Sequence, residues 1–385
     1  MTTTRRRLLA LGAGLALGAP AIGRSLAAPA PLHLLAPAAY DDPGVLSALK
    51  TATKSAFDLQ PLANDDSAVA PLVPLLPGAT AAQRAARPTL TVAAHPWLRG
   101  ILWPEGAVDP LGKDGSAPAS SFELAPGLSP PLAELESGLE GSYLLGRTLR
   151  FDIAGVGVDS RRVSVAALDD IGLSLIDDPA LSGRYGLVHD ARCLLPLVML
   201  YCGLDPFRLQ LDSELRRFEA GMRRLVERAA LIAATPAEAA AALADGRIDL
   251  ALPLGLGAMA PARLAGGRHL TVAAPGRGPM AGQAAFYWVE MLALPTQCPK
   301  PDAARAVLDA VAGRPLVSAL ARMGGLCPAA GLLAAGNVDI LTAEERLALD
   351  FEAWPALLAR CTAMDLVPER KRLQPLLDAA LAARK

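Results

Sequence analysis

The order of apolar and polar segments along the chain predicts an alternating α/β fold. Short apolar runs, typical of buried strands, alternate with stretches that have the spacing of amphipathic helices. The predicted strands are 32–36, 57–62, 89–94, 149–158, 186–190, 248–254, 270–274 and 286–295. The predicted helices are 43–56, an apolar helix ending at 201, 211–229, 236–244, 301–312, 316–323 and most of the chain from 342. This order is typical of parallel sheets covered by helices.

Local signals indicate where some of these elements begin. Pro43 suits the first turn of a helix. Thr235, followed by Pro236 and Glu238, has the pattern of a helix N-cap with a capping box. The segment 104–148 is rich in Gly, Pro, Ser and Asp and has no long period, so we predict irregular surface structure there.

Two long apolar strands predict that the chain crosses twice between two α/β lobes. The strand at 149–158 contains two glycines that suit a crossing, and the strand at 286–295 returns the chain. Two crossings make a hinged cleft, and we place the hinge near 152–159 and 275–290.

Polar and aromatic residues follow the first three predicted strands. Ligands of parallel sheets bind beyond the carboxyl ends of the strands. We therefore expect one crevice surrounded by Tyr40, Asn64, Asp65, His95 and Trp97. Turn formation is the alternative interpretation for Asn64 and Asp65, and a turn locked by the intervening proline is the alternative for His95 and Trp97.

The segment 1–27 has the features of an export signal. Three arginines at 5–7 precede a Gly-, Ala- and Leu-rich stretch that ends at Ile22, and cleavage is predicted near Ala27. The stretch is shorter than the about 20 apolar residues that span a bilayer. The arginines followed by two leucines resemble a twin-arginine (Tat) signal, with an ordinary Sec signal as the alternative. We predict an exported, periplasmic protein.

Composition and charge narrow the class of protein. The 385 residues suit two domains, and 52% hydrophobic with 19% charged residues excludes a disordered chain. The formal net charge is -1, and without the basic segment 1–27 the remainder is mildly acidic. Because phosphate binding needs a basic face, we predict no nucleic-acid partner.

The usual signatures of metal sites and catalysis are missing from the sequence. None of the cysteines forms a C-x-x-C pair, and no two histidines have metal-ligand spacing on a helix. There is no G-x-S-x-G elbow and no complete P-loop. We therefore predict no enzyme, no metal and no cofactor. The five cysteines are either disulfide partners in an oxidising compartment or buried small hydrophobic residues: Cys193, Cys202, Cys298, Cys327 and Cys361.

Several short pieces between about 170 and 330 follow one another in an informative order. They are 176–186, 189–192, 204–206, 243–250 and 288–290. In order and spacing they resemble the periplasmic spermidine/putrescine-type solute-binding proteins of ABC transporters. The resemblance implies the type II periplasmic-binding-protein fold, in which two α/β lobes are joined by a hinge and a ligand cleft lies between them.

The same resemblance implies a set of ligand-binding residues. Trp288 and Glu290 match the W-x-D that opens the return crossing of that family, and Asp190 and Tyr40 fall on two further pocket positions. In such pockets aromatic rings stack on an apolar stem and carboxylates pair with ammonium ends. An indole face adds about 0.5–2 kcal/mol of cation–π attraction. Cys193 stands where the family has an acid.

Position in the predicted sheets completes the candidate ligand-binding set with His95, Trp97, Phe151 and Asp152. Structural alternatives stay open for this set as well. Trp288 in an apolar strand suits the core, and Asp190 at a strand end suits a helix N-cap.

We predict a periplasmic solute-binding protein of an ABC importer. It would bind a small solute, a polyamine or related amine-like compound, and deliver it as a monomer to membrane permease subunits. Lobe 1 would comprise 28–157 and 287–325, and lobe 2 would comprise 158–286 and 326–385. Two alternatives remain: a ligand-sensing partner of a membrane receptor, and a Tat-exported enzyme.

Overall fold

A computed structural model describes residues 30–113, 143–334 and 336–384. The predicted export signal and most of the segment 104–148 lie outside the described residues. The strands are β1 Leu32–Pro37, β2 Phe57–Leu62, β3 Leu90–Ala94, β4 Val108–Asp109, β5 Gly112–Lys113, β6 Tyr143–Leu144, β7 Arg147–Asp159, β8 Tyr185–Val188, β9 Leu231–Ala233, β10 Leu250–Leu254, β11 Leu270–Ala273, β12 Phe286–Pro295 and β13 Thr362–Ala363.

Helices lie between most of these strands. The α-helices are Pro43–Thr53, Val69–Leu72, Ala81–Ala85, His95–Trp97, Val165–Ile171, Leu194–Tyr201, Asp212–Arg228, Pro236–Ala244, Leu256–Leu264, Pro301–Ala310, Arg314–Arg322, Ala343–Ala348, Trp354–Leu358 and Arg370–Arg384. The α/β fold class predicted from the sequence is confirmed.

The first half of the main sheet places parallel strands beside a long antiparallel one. β1 lies between β2 and β3 and pairs with both in parallel. β12 runs antiparallel to β3 on one side and to β7 on the other. The short strands β13 and β4 pair with the beginning and end of β12. The strand–helix–strand unit predicted at the start of the chain is therefore present, with its strands parallel.

The second half of the sheet shares β7 with the first. The first part of β7, 147–154, pairs with β12, and its second part, 155–159, pairs antiparallel with β10 and β11. β10 pairs in parallel with β8, and β8 pairs in parallel with β9. One strand thus runs through both halves, and the chain returns to the first half at β12.

Two glycines in β7 allow its neighbours to approach closely. A Cβ on Gly155 would lie 2.6 Å from the carbonyl oxygen of Ala273 in β11. A Cβ on Gly157 would collide with the side chain of Leu254 in β10. The glycines that suggested a crossing are therefore required by strand packing, at the point where β7 enters the second half.

Two helix ends differ from their sequence signals for local reasons. The helix that begins at Pro43 ends at Thr53 rather than near 56, because Lys54 adopts a left-handed conformation with φ 56°. Thr235 caps the N-terminus of helix Pro236–Ala244 as expected, and its side chain accepts a hydrogen bond from the N–H of Glu238 at 3.2 Å. The capping box is not completed, since the Glu238 carboxylate accepts the N–H of Ala234 instead, at 2.8 Å.

The buried side chains form two hydrophobic clusters. One lies around β1, β3 and β12 and includes Leu34, Val92 and Trp354, and the other lies around helix Leu194–Tyr201 and includes Phe218. Helix Arg370–Arg384 buries its apolar side chains in the second cluster. This docking brings the charged face of the C-terminal helix to the edge of the site described below.

All five cysteines lie in the described part of the chain and all are unpaired thiols. Four are buried and Cys298 is half-buried, as expected for small hydrophobic residues. Across the ranges that the structure describes, no helix is both long and apolar enough to cross a membrane.

Candidate functional site

A cleft of about 990 Å³ opens between the two halves of the sheet. Its walls are built largely from the residues that directly follow β1, β2, β8, β9 and β10, which are all carboxyl ends of strands. β7 and β12 contribute its floor, and helix Arg370–Arg384 contributes one rim. The geometry agrees with the general position of ligands in open α/β sheets.

The structure brings five of the eight predicted ligand-binding residues to this cleft. They are Trp97, Asp152, Asp190, Trp288 and Glu290. Asn64 and Asp65, expected at the same crevice, also line it. Three predicted residues lie behind the cleft wall rather than on it: Tyr40, His95 and Phe151.

These three residues have structural surroundings that explain their burial. The Tyr40 hydroxyl donates to Oε2 of Glu290 at 2.9 Å and so supports the cleft floor from beneath. Phe151 packs edge-on against Trp354, with ring centroids 5.0 Å apart. Strand alternation accounts for this, because neighbours in β7 point to opposite faces and Asp152 lines the cleft. His95 is buried, and its burial lowers the pKa to about 3, so the ring is neutral.

Four charged side chains interlock at the centre of the cleft, and we call Arg150, Glu290, Arg192 and Asp65 the central cluster. Glu290 accepts from Nε of Arg150 and, at 3.1 Å, from Nη1 of Arg192. Arg192 also holds Asp65 with both Nε and Nη2, at 2.9 and 3.1 Å. Asp65 follows β2 and Arg192 follows β8, so this cluster joins the two halves of the sheet across the cleft.

The charges of the central cluster stabilise one another. Burial alone would raise the pKa of Glu290, but the positive charges of Arg150 and Arg192 outweigh it and lower the pKa to about 2. Burial opposes the charge of Arg192, yet Asp65 and Glu290 raise its pKa above the usual range. Glu290, Arg150 and Arg192 are therefore ionised near neutral pH. Glu290, which was predicted to bind the ligand, is 1% exposed, and its negative charge is already balanced by the two arginines.

Trp288 lies under two guanidinium groups. The Cζ of Arg192 is 4.7 Å from the centre of its ring, and the Cζ of Arg150 is 5.5 Å away. Both distances are within the range of cation–π attraction. The indole was expected to attract a cationic group of the ligand. Two arginines of the protein hold that position instead.

Asp152 caps the helix that begins at Leu256. Its Oδ1 accepts the N–H groups of Ile153 and Leu256 at 2.8 and 2.7 Å, and its Oδ2 accepts the N–H of Gly257 at 3.1 Å. Burial raises the pKa of Asp152 to about 6 in spite of these hydrogen bonds. This carboxyl group lies on the cleft wall and changes charge within the physiological range.

Asp190 stabilises the turn between β8 and the apolar helix. Its Oδ1 accepts the N–H groups of Arg192 and Cys193 at 2.8 and 2.7 Å. The capping role that was the alternative for Asp190 is therefore present in the turn before the helix. The carboxylate also lies beside the Cys193 thiol and helps to raise the pKa of that thiol. Within the described residues no Lys or Arg side chain pairs with Asp190, which lines the cleft.

Polar contacts at the rim tie the C-terminal helix to the first half of the sheet. Nε1 of Trp97 donates to Asp66 at 3.0 Å, and Arg370 both pairs with Asp66 and covers the Trp97 ring at 5.5 Å. His189 lies 3.3 Å from Asp378 of the same helix. These contacts occupy the outer cleft edge and leave Trp97 little free ring surface.

Sequence reasoning missed the two arginines that dominate the site. Period-2 alternation in β7 could have found Arg150, because it shares the face of Asp152. Arg192 belongs to the 189–192 piece that carried the family resemblance, but nothing in the local pattern showed that its side chain crosses the cleft. Its partner Asp65 is more than a hundred positions away, and such pairings follow from the fold alone.

The acidic side chains of the cleft do not group as metal ligands. In the ranges covered by the structure, no cluster of three or more His, Cys, Asp or Glu side chains could hold a metal ion. The carboxylates are spread among arginine and backbone N–H partners instead.

Comparisons with known proteins find solved structures of similar fold but no match at the level of sequence. No protein-family model and no curated protein sequence matches the chain. Among solved structures, the chain is similar to the spermidine/putrescine ABC-transporter substrate-binding protein PotD of Streptococcus pneumoniae, with a TM-score of 0.62 at 12% identity. That match covers 92% of this chain and 99% of the other.

Two further solved structures are similar over comparable lengths. The PBP MotA of A. tumefaciens B6, in complex with glucopine, has a TM-score of 0.60 at 12% identity and covers 91% of this chain and 100% of its own. UgpB of Mycobacterium tuberculosis, in complex with glycerophosphocholine, has a TM-score of 0.58 at 14% identity and covers 92% of each chain. The chain thus has the two-lobe fold of ABC-transporter substrate-binding proteins, as the sequence predicted.

Proposed function

We propose that this protein is the solute-binding component of an ABC importer and closes its two lobes around one small solute. The observation that carries the proposal is the central cluster, which lines a 990 Å³ cleft and draws its side chains from both halves of the sheet. The two-lobe fold of substrate-binding proteins supports it.

The proposed mechanism is a population shift between open and closed states. A solute that contacts both walls favours the closed state by its differential contacts. β7 is the strand that runs through both halves, so we place the hinge near 152–159, which spans the junction of its two parts, and near 275–290, which contains the return segment and the start of β12. The lobe boundaries proposed from the sequence, 28–157 with 287–325 and 158–286 with 326–385, follow from that placement.

Export and docking complete the proposed function. The segment 1–27 would direct the chain to the periplasm, with a Tat signal as the favoured route. There the monomer would deliver its solute to permease subunits in the inner membrane. We propose no catalytic step, since the cleft groups are charge pairs and capping carboxylates rather than an activated nucleophile with its base.

A polyamine is the first ligand candidate, and one feature of the cleft favours it. Among the described residues, seven acidic and four basic side chains line the cleft, so a cation would gain from the overall charge. The PotD neighbour is a spermidine/putrescine substrate-binding protein. Against a polyamine stands the pairing of Glu290 with two arginines, which leaves this carboxylate no open position.

The proposal is tested by a thermal-shift screen of the full-length chain against amines, amino acids, carboxylates, phosphates and sugars. A true solute at about 100 times its Kd should add about 2.7 kcal/mol to the free energy of unfolding. The shift should be reduced in Trp288→Ala, which removes the ring beneath both guanidinium groups, and less reduced in Trp288→Phe, which keeps an aromatic ring there. Arg314→Gln, which changes an exposed pair away from the cleft, is the matched control and should keep it.

A second measurement shows whether a screen without a hit means that the protein binds no solute or only that the screen lacked the right one. Small molecules are extracted from the denatured protein after purification from its expression host and are identified by mass spectrometry. If neither the screen nor the extraction finds a solute, the binding function is refuted.

A further inference from the structure

The central cluster leaves specific polar atoms unused, and these atoms define what the cleft can bind. Nε of Arg150 donates a hydrogen bond to Glu290, and Nη1 makes a long contact of 3.7 Å with the Cys327 sulfur. Its Nη2 has no hydrogen-bond partner among the described residues, although the side chain is only 20% exposed and lines the cleft. A guanidinium presents five N–H donors, so an unfilled donor set remains at the cleft floor.

Arg192 has a smaller unused donor set beside it. Nε and Nη2 are held by Asp65, and one hydrogen of Nη1 is taken by Glu290. One hydrogen of Nη1 and one hydrogen of Nη2 remain. Both guanidinium groups lie over Trp288 and both pair with Glu290, so the two partly filled donor sets are neighbours. Planar donor sets of this kind match carboxylate and phosphate oxygens.

Cationic ligand groups have a carboxylate acceptor on the same wall. Among the described residues no Lys or Arg side chain pairs with the Asp190 carboxylate, whose Oδ1 accepts two N–H groups and which lies beside the Cys193 thiol. Asp190 lies two residues from Arg192, so this carboxylate and the open guanidinium donors belong to one part of the cleft. The indole face, the usual second attraction for an ammonium group, is already covered.

We propose that the cleft takes a zwitterionic solute, whose carboxylate or other anionic group binds Arg150 and Arg192 and whose cationic group binds Asp190. This inference rests on the proposed solute-binding function and names its ligand class. A purely cationic solute would place one end against two arginines. A purely anionic solute would place one end against Asp190. Only a solute with both charges satisfies both the arginines and Asp190.

The test uses ligands that differ only in their end groups. Linear diamines, ω-aminocarboxylates and dicarboxylates with the same number of backbone carbons are compared by calorimetry, from propane to hexane lengths, on the full-length chain. At the best length, the aminocarboxylate should bind about tenfold to a hundredfold more tightly than its diamine and dicarboxylate counterparts, since each counterpart loses one charged contact. Tighter binding of a diamine or dicarboxylate, or no binding by any aminocarboxylate, would overturn the inference.

Two variants test the assigned atoms, one that keeps the charge and one that keeps the shape of the side chain. Arg150→Lys keeps the charge beside Glu290 but removes the outer guanidinium nitrogen, and Asp190→Asn keeps the Oδ1 acceptor but removes the charge. Each should weaken aminocarboxylate binding about tenfold to a hundredfold, whereas Arg314→Gln should leave it unchanged. Unchanged affinity in Arg150→Lys would overturn the anion site even if the protein binds aminocarboxylates.

The two proposals fail in different ways. If diamines alone bind, the zwitterion inference falls and the solute-binding function stands. If the ligand series, the broad screen and the extraction all find no bound solute, both the zwitterion inference and the solute-binding function are refuted.

Discussion

Arginine–carboxylate pairs occur in two regions of this protein, and the regions differ in burial and in what they connect. The central cluster joins both halves of the sheet, and its arginine side chains are 15–20% exposed. A second group, which we call the outer cluster, lies in the second half alone, with arginine side chains 42–57% exposed. Its members are Asp159, Arg161, Arg162, Arg184 and Asp249.

The difference teaches that one chemistry can serve two purposes. Solvent screens the exposed guanidinium groups of the outer cluster, so its pairs hold one loop region together at small net gain. In the central cluster, loss of one partner leaves an uncompensated buried charge, which is far more costly. Because its partners come from both halves, the central cluster also couples local charge to the relative position of the two halves.

The largest effect should follow removal of the shared carboxylate. Glu290→Gln leaves Arg150 and Arg192 without their common partner and should lower the free energy of unfolding by about 3–5 kcal/mol, measured by urea unfolding. Asp339→Asn, in an exposed pair, is the control and should change nothing measurable. A loss below about 1 kcal/mol for the Glu290 variant would mean that the central cluster is solvated like the outer one.

A second test asks whether the central cluster sets the cleft opening. Arg192→Gln breaks the bonds to Asp65 and Glu290 and should lower the free energy of unfolding by about 2–3 kcal/mol. It should also raise the radius of gyration of the ligand-free protein in X-ray scattering, since the halves lose the ion pairs that join them at the cleft centre and keep only those at the rim, such as Arg370 with Asp66. Arg184→Gln in the outer cluster should leave the radius unchanged. An equal radius for both variants would remove the functional distinction between the clusters.

The third test uses pH, because the cleft holds a carboxyl group whose pKa moves opposite to that of Glu290. Burial raises the pKa of Asp152 to about 6, above its unfolded value of 3.8. Its stabilising contribution is therefore present below about 3.8 and is lost as the pH rises through about 6. The stability of the parent minus that of Asp152→Asn should fall by up to about 3 kcal/mol over this window.

Glu290 supplies the contrast for the pH test. Its pKa, lowered to about 2 from 4.5, gives stability that is present above about 4.5 and lost as the pH falls through about 2. The parent-minus-variant difference for Glu290→Gln should accordingly fall on acidification. A flat difference for either residue across its window would contradict the electrostatic account of the cleft.

The smallest effect should come from the outer cluster. Asp249→Asn removes a charged acceptor from Arg184, whose side chain is 46% exposed, and should cost about 1 kcal/mol in urea unfolding. Solute affinity should not change, because Asp249 does not line the cleft. A tenfold change in affinity would show that the outer cluster also influences the cleft, and the functional difference between the two clusters would then not hold.

Local sequence pattern was enough to predict much of this fold. The helix Pro236–Ala244 and the strand Phe286–Pro295 have the predicted bounds, and most other predicted elements shifted by a few residues at their ends. The strand Leu231–Ala233 and the helices Val165–Ile171 and Leu256–Leu264 were not predicted. These elements depend on short-range signals, namely a capping threonine, an N-terminal proline and an uninterrupted apolar run. Where an end moved, as at Lys54, a single left-handed residue was responsible.

The candidate site was less accessible to the same reasoning. Trp288, Glu290 and Asp190 were found by family resemblance, and the structure places them on one cleft. Their expected chemistry did not include Arg150 and Arg192, which now occupy the indole face and the Glu290 carboxylate. A side chain's identity can be taken from the sequence, but its partner depends on which distant strands become neighbours.

What the sequence by itself determined is therefore the order of strands and helices, the two-lobe class and the set of residues near the strand ends. Those features follow from hydrophobic periodicity and capping, which act over a few residues. Only the tertiary structure decided the charge state and the open atoms of the cleft. Arg192 meets Asp65 and Glu290 because β2, β8 and β12 end at one cleft, and pairings over such separations are a product of packing.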